Sequence, residues 1–216
     1  GTWNIGIGYG ALSANTTAND NVAVGSNALV ANTTGAYNVG VGSIALNANT
    51  TGSNNTAVGF GALDTNTTTG HGTAIGYEAL YNNTTSFNTA VGSQALKANT
   101  GGDSLVAVGA QSLVANTSGA GNTAVGRDTL GSNTTGADNT ALGKSALYGN
   151  TTGNFNVAVG ARSLDANTTG SGNTAVGEDS LSAATTANDN TAVGQNALKP
   201  NTTGTANTAV GTGAAD

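Results

Sequence analysis

The sequence predicts an all-β protein, a parallel β-solenoid (β-roll) of thirteen coils of about 17 residues each, forming a single repeat domain over residues 1–216. Three observations predict it. A glycine returns at Gly8, Gly25, Gly42, Gly59, Gly76, Gly92, Gly109, Gly126, Gly143, Gly160, Gly177, Gly194 and Gly211, every interval being 17 residues except one of 16. β-branched residues alternate with a small residue just before each of these glycines. No stretch carries an apolar period of 3.6 residues long enough for a helix. A fixed short period along a whole chain belongs to a solenoid, in which each unit buries its face only against its neighbours.

With the asparagine before each strand as position one, the unit reads N-T/V-A-V-G-x-x-A-L-x-A-N-T-T-G-x-x, as in Asn21 to Tyr37. Position two is Thr, Val or Ile, and position four is Val or Ile in twelve copies and Leu142 in the other. Side chains two residues apart share one face of a strand, so these positions form one row pair. Position three, on the opposite face, is Ala in eleven copies and Gly6 or Gly40 in two. Position nine is Leu in twelve copies, from Leu12 to Leu198. Glycines at positions five and fifteen cut the unit into two segments, which predicts two short strands per coil. Coils stacked at ~4.8 Å would make a rod about 60 Å long.

The variable positions support this register. All sixteen charged residues and every aromatic fall at positions six, seven, ten, sixteen and seventeen, which are expected to face solvent or a partner. The one short interval loses its residue in Thr84 to Asn88, just after N-T-T. A deletion inside a strand would flip every later side chain, so this gap marks positions fifteen to seventeen as a turn.

The polar segment N-T-T has Asn at position twelve in eleven of twelve copies, Ala184 being the exception, and Thr at position thirteen in all twelve. Asn32, Asn49, Asn116 and Asn167 with Thr33, Thr50, Thr117 and Thr168 are expected to stack as a structural ladder, in which identical amides hydrogen-bond up the axis. The alternative is an outward threonine array that orders ice. Each N-T-T also matches the N-glycosylation acceptor pattern, which repetition alone explains.

Composition limits the function. Only five basic residues and a net charge of −6 exclude the clustered cations that a nucleic-acid partner needs. The absence of cysteine excludes a disulfide framework and a thiolate metal site. No apolar run approaches the ~20 residues of a membrane helix, so no membrane insertion is expected. His71 has no carboxylate or cysteine beside it in the sequence. Glu178 and Asp179 are adjacent, and in an extended segment would point to opposite faces. No catalytic, cofactor or metal site is expected, and no cofactor. The chain opens and stops in mid-repeat, as a piece of something longer would.

The segments NVAVG (21–25), NTAVG (55–59, 122–126 and 173–177) and GTAIG (72–76) resemble the head repeats of trimeric autotransporter adhesins, the YadA-like heads. The whole unit also looks like repeats of bacterial and phage tail-fibre-like proteins. The resemblance covers essentially the entire chain, although this unit is longer than the family's typical repeat by its N-T-T segment. It implies a left-handed β-roll, a homotrimer, an extracellular place on a cell surface or virion fibre, and adhesion to a surface receptor. Physical argument favours association as well. Ordering so thin a coil costs more than burying its few apolar side chains returns, and a second covered face would offset the difference. Val24, Val58, Val108 and Val159 are the expected chain–chain contacts. A monomeric ice-binding solenoid and a self-assembling structural filament are the other two readings that the sequence leaves open.

Overall fold

The computed structural model describes residues 1–215; Asp216, position ten of the last copy, lies outside them. Thirteen strands of three residues each, from β1 (Ile5–Ile7) to β13 (Thr208–Val210), form one parallel sheet in sequence order. Each pairs with the next at equivalent positions, as Val22 with Val39, Ala23 with Gly40 and Val24 with Val41. The fold is therefore a parallel β-solenoid, one strand to a coil. Counting coils from their position-one residue, coil 1 starts at Asn4, coil 4 at Asn55, coil 5 at Gly72 and coil 11 at Asn173.

The core is narrow and nearly uniform, its largest departure among the described residues being Leu105, buried where position one is otherwise Asn or Gly. Ala23, Ala57, Ala124 and the other alanines of position three point inward, where they meet Leu29, Leu63 and Leu130 of position nine and the small residue of position eight; away from the end coils all are fully buried. Positions two and four lie on the outer face. The short coil is absorbed as the deletion argument requires, because β5 (Thr73–Ile75) and β6 (Thr89–Val91) remain in register.

The expectation of two strands per coil is corrected. Positions six to eleven run as consecutive turns and thirteen and fourteen as a bend, even though their backbone also bonds from coil to coil, as in Leu29 N–H to Ala45 O (3.0 Å) and Thr33 N–H to Thr50 O (2.9 Å). The physical reason is the backbone hand. Leu29 has φ 51° and Asn27 φ 57°, and the same left-handed values recur at positions seven and nine along the rod. Two such residues in three leave no extended run to pair as a strand. Position seventeen is left-handed too, Tyr37 having φ 60°.

Position five admits only glycine. At Gly25, φ is 135° and an added Cβ would sit 2.5 Å from the carbonyl oxygen of Gly42 in the next coil. Neither the backbone angle nor the stacking distance leaves room for a side chain.

Candidate functional site

Two polar ladders run inside the rod, flanking the leucine column. The first is made by position twelve. Asn49 Nδ2 donates to Asn32 Oδ1 (2.9 Å), Asn116 Nδ2 to Asn99 Oδ1 (3.1 Å) and Asn167 Nδ2 to Asn150 Oδ1 (2.8 Å). Each of these amides also donates to the position-fifteen carbonyl of its own coil, as Asn49 does to Gly52 O (3.0 Å). All six asparagines are fully buried.

A second ladder, which the N-T-T pattern does not predict, is made by position one. Asn38 N–H donates to Asn21 Oδ1 and Asn156 N–H to Asn139 Oδ1, both at 2.9 Å. Their Nδ2 groups reach the same position-fifteen carbonyls, Asn38 donating to Gly52 O at 2.8 Å. One carbonyl thus accepts from both ladders, one donor for each lone pair. The recurrence of Asn at position one in eleven of thirteen copies was the available signal.

These bonds explain the glycine of position fifteen. A Cβ on Gly136 would meet Asn133 Oδ1 at 2.5 Å, and one on Gly170 would meet Asn167 Oδ1 at 2.4 Å. Three coils carry a Cβ there, and in each the first ladder is disturbed. Beside Ala18 the Asn32–Asn15 contact lengthens to 3.5 Å. Beside Thr69, Asn66 Oδ1 is taken by the threonine hydroxyl. Beside Ala187, position twelve is Ala184, and Asn167 Oδ1 is left buried with no hydrogen-bond partner.

The threonines of N-T-T stand at an outer corner. Thr33 and Thr50 donate Oγ1 to the carbonyls of Thr50 and Thr67 (both 3.0 Å), Thr117 to Thr134 O (3.0 Å) and Thr168 to Thr185 O (3.0 Å). This rank uses its hydroxyl protons on the solenoid itself, which counts against it as an array turned to ice. The N-T-T asparagines between the half-buried Asn15 and Asn201 are in turn inaccessible to a glycosylating enzyme in the folded rod.

The outer face of the sheet carries the four valines of the expected interface. Val24, Val108 and Val159 are half-buried in the single chain, and Val58 is 36% exposed. Ile75 and Leu142 in the same row are 40% and 48% exposed. Positions seventeen and six border this face. On that border Phe60 stacks on Tyr77 (5.6 Å between centroids) and His71 on Phe87 (5.1 Å).

Charged residues group on the neighbouring wall. Glu178 and Asp179 do not diverge as an extended segment would make them. Asp179 has φ 55°, and both carboxylates reach Arg162, at 3.2 Å and 2.7 Å. Arg162 holds the Asp179 carboxyl below the usual carboxylate range. Lys97 pairs with Glu78 at 2.6 Å in the same way, between adjacent coils. Asp64, expected to be solvent-facing, is only 8% exposed; Oδ1 has no partner, and burial pushes its carboxyl above the ordinary value.

No family model, curated protein or solved structure matches the chain. Among the described residues no helix is long and apolar enough to cross a membrane.

Proposed function

We propose that the chain is a non-enzymatic segment of an extracellular fibre, the head or shaft of an adhesin or tail-fibre-like homotrimer. Copies associate through the outer face of the sheet, and the variable turn residues meet a surface or receptor. One observation carries this reading. The row pair at positions two and four is half-exposed along the whole rod and has no charged residue in any of its thirteen coils. Position four is apolar in every coil, beside a position two that is Thr in eight of them, and soluble monomers seldom leave so long an apolar row uncovered.

Dimensions and charge support it. Thirteen coils at ~4.8 Å and a width of three residues give a face of about 600 Å². Two such faces together bury about 1,200 Å², the lower bound of specific interfaces. The row of Thr140 and Leu142 is bordered by Asp138 on one edge and Lys144 on the other. Parallel chains in cyclic symmetry bring one edge of each chain to the opposite edge of the next, so these charges would meet with opposite sign.

Light scattering at micromolar concentration tests the reading. The expected mass is three chains, falling to one when Val58 and Val108 are both replaced by Lys. A parent protein that weighs one chain would overturn the proposal. Thermal hysteresis in such a monomer would favour ice binding in its place.

A further inference from the structure

The junction between coil 4 and coil 5 differs from every other interior junction of the rod. Elsewhere the N-T-T corner is tied from coil to coil, by backbone bonds at all but the coil 5–coil 6 junction. Thr50 N–H donates to Thr67 O (2.8 Å), Thr134 N–H to Thr151 O (3.0 Å), and Asp138 N–H to Ala120 O (3.0 Å) just beyond the corner. At the coil 5–coil 6 junction the amides of Thr84, Thr85 and Ser104 make none, and the ties are Thr84 Oγ1 to Thr100 O, Thr85 Oγ1 to Gly102 O and Asn99 Nδ2 to Asn83 Oδ1. The equivalent donors at the coil 4–coil 5 junction are the amides of Thr67, Thr68 and Phe87, and none makes such a bond. The amide ladder stops there as well, because Asn66 Oδ1 is held by Thr69 and Asn83 Nδ2 turns to Thr85 O (2.6 Å). The second ladder loses its amide at the same place, where position one is Gly72. From Asn66 to His71, among the described residues, no hydrogen bond ties this corner to the coil above it.

Three departures from the consensus coincide here: Thr69 at position fifteen, Gly72 at position one, and the missing residue of the 16-residue coil. The two borders of the sheet face are reinforced at the same junction. Both aromatic stacks among the described residues, Phe60 on Tyr77 and His71 on Phe87, join coil 4 to coil 5. The strand bonds are intact, Thr56 N–H donating to Gly72 O and Gly76 N–H to Val58 O at 2.8 Å each.

We infer that this junction is a built-in hinge, which opens at the N-T-T corner while β4 (Thr56–Val58) and β5 stay paired beneath the aromatic stacks. In a solenoid each coil is held only by its neighbours, so the junction with the fewest ties parts first under heat or load. The inference stands apart from the proposed function, since it concerns how one chain bends whether or not it associates.

Hydrogen exchange followed by mass spectrometry tests it. The amides of Thr67, Thr68 and Phe87 should exchange about tenfold or more faster than those of Thr134, Thr135 and Asp138, their equivalents in coil 8. A repaired chain, with Thr69→Gly, Gly72→Asn and a glycine inserted between Thr85 and Ser86, should slow them to the coil 8 rate. Replacing Phe60 and Phe87 by Ala should let the opening spread to the amides of Thr56 and Gly76. Equal rates at the two corners of the parent chain would overturn the hinge, as would a repaired chain that still exchanges fast. Unchanged protection of Thr56 and Gly76 in the Phe60→Ala/Phe87→Ala chain would overturn the part assigned to the aromatic stacks.

Discussion

Restoring the consensus in coil 11 should stabilise the rod, and only as a pair of changes. Ala184→Asn would supply the missing amide. Its Nδ2 would reach Asn167 Oδ1, now buried without a partner, at the 2.8–3.1 Å seen along the intact ladder. Its Oδ1 would accept from Asn201 Nδ2, which at present donates only to Gly204 O. The new bond from Asn201 contributes about 0.5–1.5 kcal/mol, and partnering the buried orphan removes a desolvation cost of about 1–3 kcal/mol. Ordering one more side chain and the companion change Ala187→Gly oppose this by roughly 0.5–1 kcal/mol each. The net gain is about 1–2 kcal/mol, or a rise in Tm of about 2–8 °C for a chain of this size.

The single change Ala184→Asn should gain nothing. A methyl at position fifteen falls where the new Oδ1 must go, since in the coil below a Cβ on Gly170 would lie 2.4 Å from Asn167 Oδ1. A double-mutant cycle read by thermal unfolding isolates this coupling. The reasoning is refuted if Ala184→Asn alone stabilises as much as the pair, or if the double variant melts at or below the parent.

Other expectations follow from the same geometry. Ala124→Leu should cost about 1–3 kcal/mol by overpacking, since Ala124 is fully buried against the leucine column, and urea unfolding would show it. Leu113→Asp places an unpaired charge in that column and should unfold the rod locally or wholly, whereas Lys144→Ala on the exposed border should stay within ~0.5 kcal/mol. Asp64 has a raised folded-state pKa, so the folded protein holds its proton more tightly than the unfolded chain does, and stability falls as pH rises through the carboxylate range. Asp64→Asn should therefore be more stable than the parent at neutral pH, with the advantage shrinking toward pH 4; melting curves at the two pH values decide this. Folded protein incubated with an oligosaccharyltransferase should carry no glycan at Asn116, because its Nδ2 is bonded to Asn99 Oδ1 and Gly119 O, and intact-mass measurement would reveal any addition.

The sequence by itself determined the period, the solenoid, and which side of each strand faces in. An alanine at position three beside a leucine at position nine leaves one narrow way to close a coil. A deletion tolerated near Thr85 could lie only in a turn. It also exposed the N-T-T ladder, since identical buried amides have few other partners. What it could not determine was the backbone hand. Leucine at a φ near 50° costs roughly 1–2 kcal/mol against its ordinary conformation, so no local propensity announces it. Only closure of the coil, which must turn sharply to bury Leu29 and its equivalents, makes that conformation the favourable one, and with it each coil loses its expected second strand. The same holds for the glycine of position fifteen and for the hinge. Whether a methyl fits beside Asn133, or a threonine diverts Asn66, depends on what lies beside it in the folded coil, and those neighbours exist only once the coils have stacked.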